Sequence, residues 1–393
     1  MHKKMPNRVE KEDDNILEGG KEKSISSLQD IPEQFKDKLT CIGFSFNEDE
    51  RSGSYVQFNR SPIFSRVRIS GVEVLSIIEA LERYEWLKDY WWKILPSNLD
   101  EYTRLANEKL TYGYFIRVKP KTRIILPIQA CLFISKPKIS QHVHNIIIAE
   151  EESELHIITG CATAPHVTSA LHVGVSEFYI KRGAKVTFTM IHSWGKNIEV
   201  KPRTGVLVKD DSSFISNYVC LGPVGNLQMY PTAYCAGENA KVTFQSIILA
   251  SENSVMDVGS RVHLKARNSR ANIISRAVAK DYGEIYARGH LIGENADVKG
   301  YLECRGIMLS DTAKIYAIPE LEAKAKDVNL AHEAAVGKIA EEEILYLTAR
   351  GLTPDEATTV LIGGFLRLNL EDLPQKLRFE VSRMMKTIIE KAF

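Results

Sequence analysis

The sequence predicts a mainly β protein whose central part is a β-solenoid, a stack of similar coils. Between residues 114 and 327, short runs of alternating apolar and polar residues are separated by small polar turns. The turns recur at steps of roughly 27 to 29 residues, which is the range of structural repeats. No amphipathic pattern of helical length interrupts this region. Short strands at a near-regular spacing favour a solenoid, and a β-sandwich is the competing prediction.

Each repeat is marked by a small residue close to the start of a strand. The markers that we identify are Ala184, Ser213, Ala240, Ser269 and Ala296. Gly and Asn residues in the neighbouring turns supply positions that need a positive φ angle. The pattern therefore predicts one coil per repeat, with the turns of successive coils stacked on each other.

The composition changes along the chain and divides it into four segments. Residues 1–30 are charged and predict a flexible tail. Residues 31–113 predict a mixed, mostly helical N-terminal domain, and residues 114–327 the solenoid. Residues 328–393 predict a C-terminal helical domain that contains three helices. We expect the first from about His332 to Arg350, the second from the capping box Thr353-Pro-Asp-Glu356, and the last over residues 377–389.

Charge and hydropathy exclude several classes of protein. The chain has 51 basic and 50 acidic residues, so it has no general attraction for nucleic acid or an anionic membrane. Its first residues lack an apolar segment, and the longest apolar stretch, Ile124–Ile134, is interrupted by Pro127 and Gln129. That stretch is too short to span a bilayer. We expect a cytoplasmic protein that binds neither membrane nor nucleic acid.

The candidate site lies near the C-terminus. None of the six cysteines forms a Cys-x-x-Cys pair, so the usual zinc-ribbon and ferredoxin spacings are absent. Cys304 lies in an alternating, strand-like segment, and His332-Glu333 follows where the period changes towards helix. A thiolate, an imidazole and a carboxylate together can hold a thiophilic metal such as iron or zinc. On the sequence alone, Cys304 also fits a buried apolar residue.

Other motifs argue against an enzyme that acts on nucleotides. The chain has no Gly-x-x-x-x-Gly-Lys-Ser/Thr loop, so we do not expect it to hydrolyse ATP. It has no Gly-x-Gly-x-x-Gly that opens a helix, which argues against a Rossmann cofactor domain. His142 and His144 have the spacing of one strand face, but no third ligand accompanies them.

Several segments together resemble the SufB/SufD family of iron–sulfur cluster assembly scaffolds. In the central region these are Gly160–Pro165, Leu171–Ile180, Ser269–Arg276 and Tyr286–Gly289. The most specific is His332-Glu333-Ala334, followed by Gly337-Lys-Ile, Arg350-Gly-Leu and Glu356-Ala. The resemblance covers about residues 115–370.

The resemblance implies a right-handed parallel β-helix between N- and C-terminal helical domains. It implies a non-ATPase scaffold that builds a transient iron–sulfur cluster and passes it to apo-proteins after receiving sulfur from a donor. The cluster ligands would be Cys304, His332 and Glu333, which places the chain on the SufB side of the family. A SufC-like ABC-type ATPase would bind the C-terminal helices, and archaeal-type relatives would form a homodimer through the β-helix.

Two positions depart from the family pattern. Ala331 stands where SufB proteins often have a glutamate, and the strand Thr204–Val208 lacks the upstream cysteine that would receive sulfur. Cys220 and Cys235 are the nearest substitutes. The alternatives are a SufD-like subunit without a cluster, a zinc protein that uses the same three residues, and a carbohydrate-active β-solenoid.

Overall fold

Parallel strands stacked in coils dominate the structure. The computed structural model describes residues 22–367 and, beyond them, Arg378, Phe379, Ser382, Arg383 and Lys386. It is 48% strand and 17% helix and contains a β-solenoid of about 8 turns, which confirms the predicted fold class. The N-terminal tail falls mostly outside the described residues, as does nearly all of the predicted last helix. No described helix has both the length and the apolar character needed to cross a membrane.

Most of the regular structure consists of strands. The N-terminal region and the first coils contain β1 Gly53–Phe58, β2 Ser61–Val67, β3 Val72–Ser76, β4 Tyr114–Val118, β5 Ile128–Ile134, β6 Ile139–Ala149, β7 Glu154–Thr163, β8 Ala170–Ile180, β9 Lys185–Ser193, β10 Ile198–Val200 and β11 Arg203–Val208. The later coils contain β12 Ser213–Leu221, β13 Asn226–Met229, β14 Thr232–Cys235, β15 Lys241–Ala250, β16 Val255–Leu264, β17 Arg270–Ala279, β18 Glu284–Gly293, β19 Lys299–Met308, β20 Lys314–Ala323 and β21 Asn329–Gly337. The helices are α1 Glu33–Thr40, α2 Ile77–Arg83, α3 Glu101–Glu108, α4 Glu341–Thr348 and α5 Pro354–Phe365.

The strands form two sheets that face each other across the core. Sheet A has the order β2-β1-β5-β7-β9-β12-β15-β17-β19-β21. Sheet B runs from β3 through β4, β6 and β8 to β16, and then to β18 and β20. Two coils of sheet B have divided strands, β10 with β11 and β13 with β14, and Pro202 and Pro231 stand at the breaks. Proline interrupts the ladder there because it has no N–H to donate.

Alternate residues of each strand point into the core. In the middle coils the rings of Phe178, Phe188 and Phe214 pack there, with ring centres 4.9 and 5.1 Å apart. Phe214 also contacts Phe244 of the next coil. The predicted strand period of two therefore reflects the inner and outer rows of the solenoid.

One corner of the solenoid explains the repeat. Residues with positive φ lie in the same place in successive coils, namely Gly183, Asp211, Asn239, Asn268, Asp297 and Asp327. Aspartate and asparagine tolerate this conformation better than most residues, so the corner does not need glycine in every coil. The buried residues that follow are Ala184, Ser212, Ala240, Ser269 and Val298. Two predicted markers therefore differ from the buried positions. Ser213 lies one residue after the buried Ser212, and Ala296 lies two residues before the buried Val298.

The N-terminal region covers the first end of the solenoid. It mixes helices with strands: β1 pairs in parallel with β5, while β2 and β3 add antiparallel pairs. Every residue of β1 is buried. The aromatic segment that ends at Trp92 packs on sheet B, where Trp91 stacks on His144 at 4.0 Å between ring centres.

The C-terminal boundary differs from the prediction. Residues 329–337 form β21, the last strand of sheet A, and the first C-terminal helix begins at Glu341 rather than near His332. The run of alanines and glutamate favoured helix, but Leu330, His332, Ala334 and Val336 alternate and pair in register with β19. Tertiary pairing overrode a weak helix propensity. The capping box of α5 was predicted correctly, with Thr353 accepting a hydrogen bond from the backbone N–H of Glu356.

Candidate functional site at the terminal coil

Cys304 lies on β19 and points into the solenoid. It belongs to the same inner row as Leu302, which is fully buried, and Gly306. A Cβ atom on Gly306 would lie 3.0 Å from the side chain of Ile315 on the facing sheet, which identifies this row as the inner one. The Cys304 side chain is only 1% exposed. The strand period therefore places this thiol at the edge of the core.

The surroundings of Cys304 keep it protonated. Burial raises the pKa of the thiol to about 11; the nearby Glu303 carboxylate raises it further and Arg276 opposes the rise. At neutral pH the group is a thiol, and only the thiolate is a good ligand or nucleophile. A metal that binds here must displace the proton, so metal binding releases a proton into solution.

His332 lies on the neighbouring strand, β21, on the same side of sheet A as Cys304. The register pairs His332 with Leu302 and Ala334 with Cys304, so the two candidate ligands are diagonal neighbours. Adjacent strands and a two-residue step put their Cα atoms about 8 Å apart. His332 is exposed, since no further coil covers β21 within the described residues. Cys304 and His332 therefore lie on the same face of sheet A, the cysteine buried and the histidine exposed.

Glu333 lies on the opposite face of the same strand. Its carboxylate accepts hydrogen bonds from the Tyr301 hydroxyl at 3.0 Å and from Nη2 of Arg305 at 2.8 Å. These two donors and the positive charge of Arg305 lower the pKa of Glu333. The structure thus brings Cys304 and His332 together and places Glu333 apart from them, because consecutive residues of a strand point to opposite sides.

The donor set of one chain is small. The part of the chain that the structure describes contains no group of three or more His, Cys, Asp and Glu residues arranged to hold a metal ion. Cys304 and His332 supply two donors, and the strand of His332, β21, is the outermost of sheet A among the described residues. A cluster at this place needs ligands beyond these two side chains.

The two cysteines considered for sulfur entry are enclosed. Cys220 on β12 is 1% exposed and Cys235 on β14 is fully buried. Burial raises the pKa of each thiol to about 12. Cys41 is the least buried of the six cysteines. Neither Cys220 nor Cys235 is exposed to an external sulfur donor in this conformation.

The sequence interpretation missed a charged group on the outer face beneath the site. Arg276, Glu303 and Arg305 lie on β17 and β19 and connect to Glu333 through ion pairs of 2.7 to 2.8 Å. A signal was available, since the coil repeat places Arg276 directly beside Arg305. Two arginines in one column need an intervening carboxylate, and Glu303 is the residue that supplies it.

The C-terminal helices carry apolar side chains that remain exposed. Leu345 and Tyr346 on α4 are 64% and 57% exposed, and Val360 on α5 is 55% exposed. A shallow pocket lies between the helices, with Tyr346, Leu347 and Leu361 in its lining. On its other side α5 buries Ala357 and Ile362. The two helices therefore present an apolar surface that the described residues do not cover.

Comparison with known proteins identifies the family. Residues 132–365 match the family model described as SUF system FeS cluster assembly, SufBD core domain. This range includes β6 through α5, and therefore both Cys304 and His332.

Curated relatives extend the similarity to nearly the whole chain. An iron–sulfur cluster assembly SufBD family protein of Methanothermobacter thermautotrophicus (strain Winter) is 50% identical over 373 residues, which cover 94% of this chain and 91% of the relative. A SufBD family protein of Archaeoglobus fulgidus is 48% identical over 89% of this chain and 94% of its own length. One from Pyrococcus horikoshii is 30% identical over 96% and 85%. This chain is a member of the SufBD family of iron–sulfur cluster assembly proteins.

Proposed function

We propose that this chain is the scaffold subunit of a SUF-type assembly complex and that it builds an iron–sulfur cluster at its terminal coil. The observation that carries the proposal is the position of Cys304 and His332 on one inner face at the end of a SufBD core, where no described strand follows β21. In this role the chain is not an ATPase and catalyses no reaction by itself. It holds iron and sulfide while the cluster forms and releases the cluster to apo-proteins.

The chemistry of the two donors suits a transient cluster. Iron in clusters prefers thiolate, and imidazole can replace it. A scaffold must release its cargo, so few and mixed ligands serve it better than four thiolates. The exposed His332 lies on the solvent side, whereas Cys304 is recessed. Cluster transfer would therefore begin with loss of the histidine ligand, and the buried thiolate would leave last.

Glu333 has a conditional part in this proposal. In the isolated chain its carboxylate is held by Tyr301 and Arg305 on the outer face. It can join Cys304 and His332 only after the backbone of the edge strand moves. We therefore assign Glu333 to a later stage of assembly, when iron enters or when the cluster leaves.

A second copy of the chain completes the site. The edge strands β20 and β21 present backbone groups that no other described strand pairs, and such edges readily bind another strand. A twofold axis at this edge would place two Cys304 and two His332 residues around one interface. The homodimer thus supplies four donors where one chain supplies two.

The partner that moves this interface is an ABC-type ATPase of the SufC kind. The exposed apolar residues of α4 and α5 form the surface on which it would dock, in the manner of an apolar helix face in a groove. ATP-driven closure of two ATPase subunits would change the distance between the two terminal coils. A sulfur donor and apo-protein recipients complete the set of partners.

Anaerobic reconstitution tests the proposed function. The chain is incubated with ferrous iron and sulfide, desalted, and examined for visible absorption and for bound iron and sulfide per chain. Wild type should retain iron and sulfide in a fixed ratio, and Cys304→Ser should retain almost none. Cys161→Ser is the matched control, because Cys161 is also a buried inner residue of sheet A and should leave the cluster unchanged.

Each other outcome has a distinct meaning. A wild-type chain that binds no cluster, even with the ATPase present, contradicts the scaffold role and indicates a SufD-like structural subunit. A cluster that survives Cys304→Ser refutes the assigned site. Metal analysis that finds zinc without sulfide indicates a zinc protein.

A further inference from the structure

Four charged side chains form a continuous chain of ion pairs on the outer face of sheet A. Oε1 of Glu303 lies 2.7 Å from Nη2 of Arg276 and 2.7 Å from Nε of Arg305. Nη2 of Arg305 in turn lies 2.8 Å from Oε1 of Glu333. The charges alternate in sign and cross three strands, β17, β19 and β21. The chain therefore ends on the edge strand that carries His332.

The other end of this chain lies beneath the C-terminal helices. The ring of Phe365, at the end of α5, is 5.9 Å from the guanidinium carbon of Arg276. The next residue, Leu366, is 1% exposed and belongs to the main core. A cation beneath an aromatic ring is attracted by it and partly shielded from water. The position of α5 thus sets the environment of Arg276.

The two halves of the chain of ion pairs differ in burial. The side chains of Arg276 and Glu303 are 17% and 10% exposed, whereas those of Arg305 and Glu333 are 44% and 50% exposed. Ion pairs weaken as solvent reaches them. The pair beneath α5 is therefore the strong one, and the pair on the edge strand is the one that yields first.

We propose that Arg276, Glu303 and Arg305 are positioning residues that couple the C-terminal helices to the edge strand β21. When α5 withdraws from Arg276, solvent weakens the Arg276–Glu303 pair. Glu303 then attracts Arg305 more strongly and competes with Glu333 for the same guanidinium. Glu333 is released, and the backbone that it shares with His332 becomes free to move.

Through this coupling, a partner bound to the C-terminal helices can change the conformation of β21 without contacting the site. Glu303 and Arg305 flank Cys304 in sequence, and Glu333 follows His332, so the outer ion pairs and the inner ligands share the same two backbone segments. The purpose of the coupling rests on the proposed function. The coupling itself is a property of this chain alone and can be measured without a cluster or a partner.

Amide hydrogen exchange on the full-length apo chain tests the coupling. Phe365→Leu keeps the apolar packing of α5 but removes the ring from Arg276, and it should raise the exchange rate of the β21 amides, residues 329–337, by at least about fivefold, since edge strands open at low cost. Glu303→Gln removes the carboxylate that competes with Glu333 for Arg305 and should leave β21 exchange at or below the wild-type rate. Exchange in β15 should not change and serves as the internal standard. Val360→Ala is the matched control, because Val360 lies on the exposed side of α5.

The double variant Phe365→Leu/Glu303→Gln separates coupling from independent damage. If Phe365 acts on β21 through Glu303, the double variant should exchange no faster in β21 than Glu303→Gln alone. The proposal is overturned if Phe365→Leu speeds β21 exchange equally with and without the Glu303 charge, or if it changes exchange only within α5. Faster exchange in β15 as well would also contradict it, since that indicates general destabilisation. None of these results depends on whether the chain binds iron.

Discussion

The two ends of the solenoid are built from the same parallel coil but differ in how far the described residues cover them. At the first end, β1 and β2 extend sheet A, and every residue of β1 is buried. At the last end, β21 is the outermost described strand, and its inner residue Val336 is 39% exposed. An uncovered coil leaves apolar surface and backbone groups in water, which a protein usually avoids. Among the described residues the two ends thus differ most in how far the terminal coil is covered, and both candidate ligands, Cys304 and His332, lie at the less covered end.

The largest expected difference between the ends concerns two buried thiols. Cys131, near the covered end, is fully buried and its pKa is raised well above the ordinary range. The pKa of Cys304 is about 11. At about pH 7 the thiolate fraction of Cys304 is about 300-fold below that of a free thiol. At pH values below its pKa, the rate of alkylation should rise about tenfold for each unit increase in pH, because only the thiolate reacts. Mass spectrometry of iodoacetamide-labelled peptides measures both sites.

The expected order is that Cys304 reacts slowly in the folded chain and Cys131 reacts only after unfolding. Equal labelling of the two cysteines across the pH range would show that the last end is as closed as the first. Labelling of Cys304 that does not depend on pH would show that opening of the coil, rather than loss of the proton, limits the reaction.

Two side-chain truncations to alanine measure how much the core residues near the last end contribute to the free energy of unfolding. Leu302→Ala, at a fully buried inner position of β19, should cost about 3 kcal/mol in unfolding free energy. Val336→Ala, in the outermost described strand β21, should cost less than about 0.5 kcal/mol in the monomer, since Val336 is 39% exposed. Urea unfolding followed by circular dichroism gives both values. A large cost for Val336→Ala in a strictly monomeric sample would mean that the last coil is covered in solution.

Two charge insertions compare the ends as binding surfaces. Val336→Lys puts a charge on the last described coil. If the chain dimerises there as proposed, this variant should weaken self-association at least about tenfold, since a buried unpaired charge is costly. Ile125→Lys is the matched control, because Ile125 is 73% exposed near the first end. Sedimentation equilibrium measures both variants. Equal self-association of the two variants would show that the dimer does not form through the last coil.

The smallest expected effect concerns the helix cap next to the last end. Thr353→Ala removes the side-chain acceptor of the α5 capping box and should destabilise that helix by about 1 kcal/mol. Thr358→Ala, inside the same helix, removes only a hydroxyl that bonds back to Pro354 and should be close to neutral. Amide exchange in α5 reports the difference. Similar exchange in both variants would mean that packing, and not the cap, holds α5.

The sequence predicted the repeated coil more reliably than the end of it. The period of two, the corner residues and the capping box of α5 are local signals, and each has a direct structural counterpart. The strand 329–337 carries a weaker signal, because His332-Glu333-Ala334-Ala335 favours helix and only pairing with β19 decides otherwise. The grouping of Glu333 with Cys304 and His332 came from the family resemblance and stays a prediction. On a strand, adjacent residues point to opposite faces, so the separation of Glu333 from the other two side chains could not be derived before the strand was known.

Pulsed electron paramagnetic resonance of the reconstituted cluster, after one-electron reduction and with nitrogen-15 in histidine, tests the central claim most directly. The account predicts a strong nitrogen coupling in wild type that is lost in His332→Ala, with the cluster still dependent on Cys304. The matched control is His166→Ala, since His166 is exposed in the loop after β7 and far along the coil order from the site. Wild-type protein with a cluster but without histidine coupling would contradict the account, as would a coupling that persists in His332→Ala.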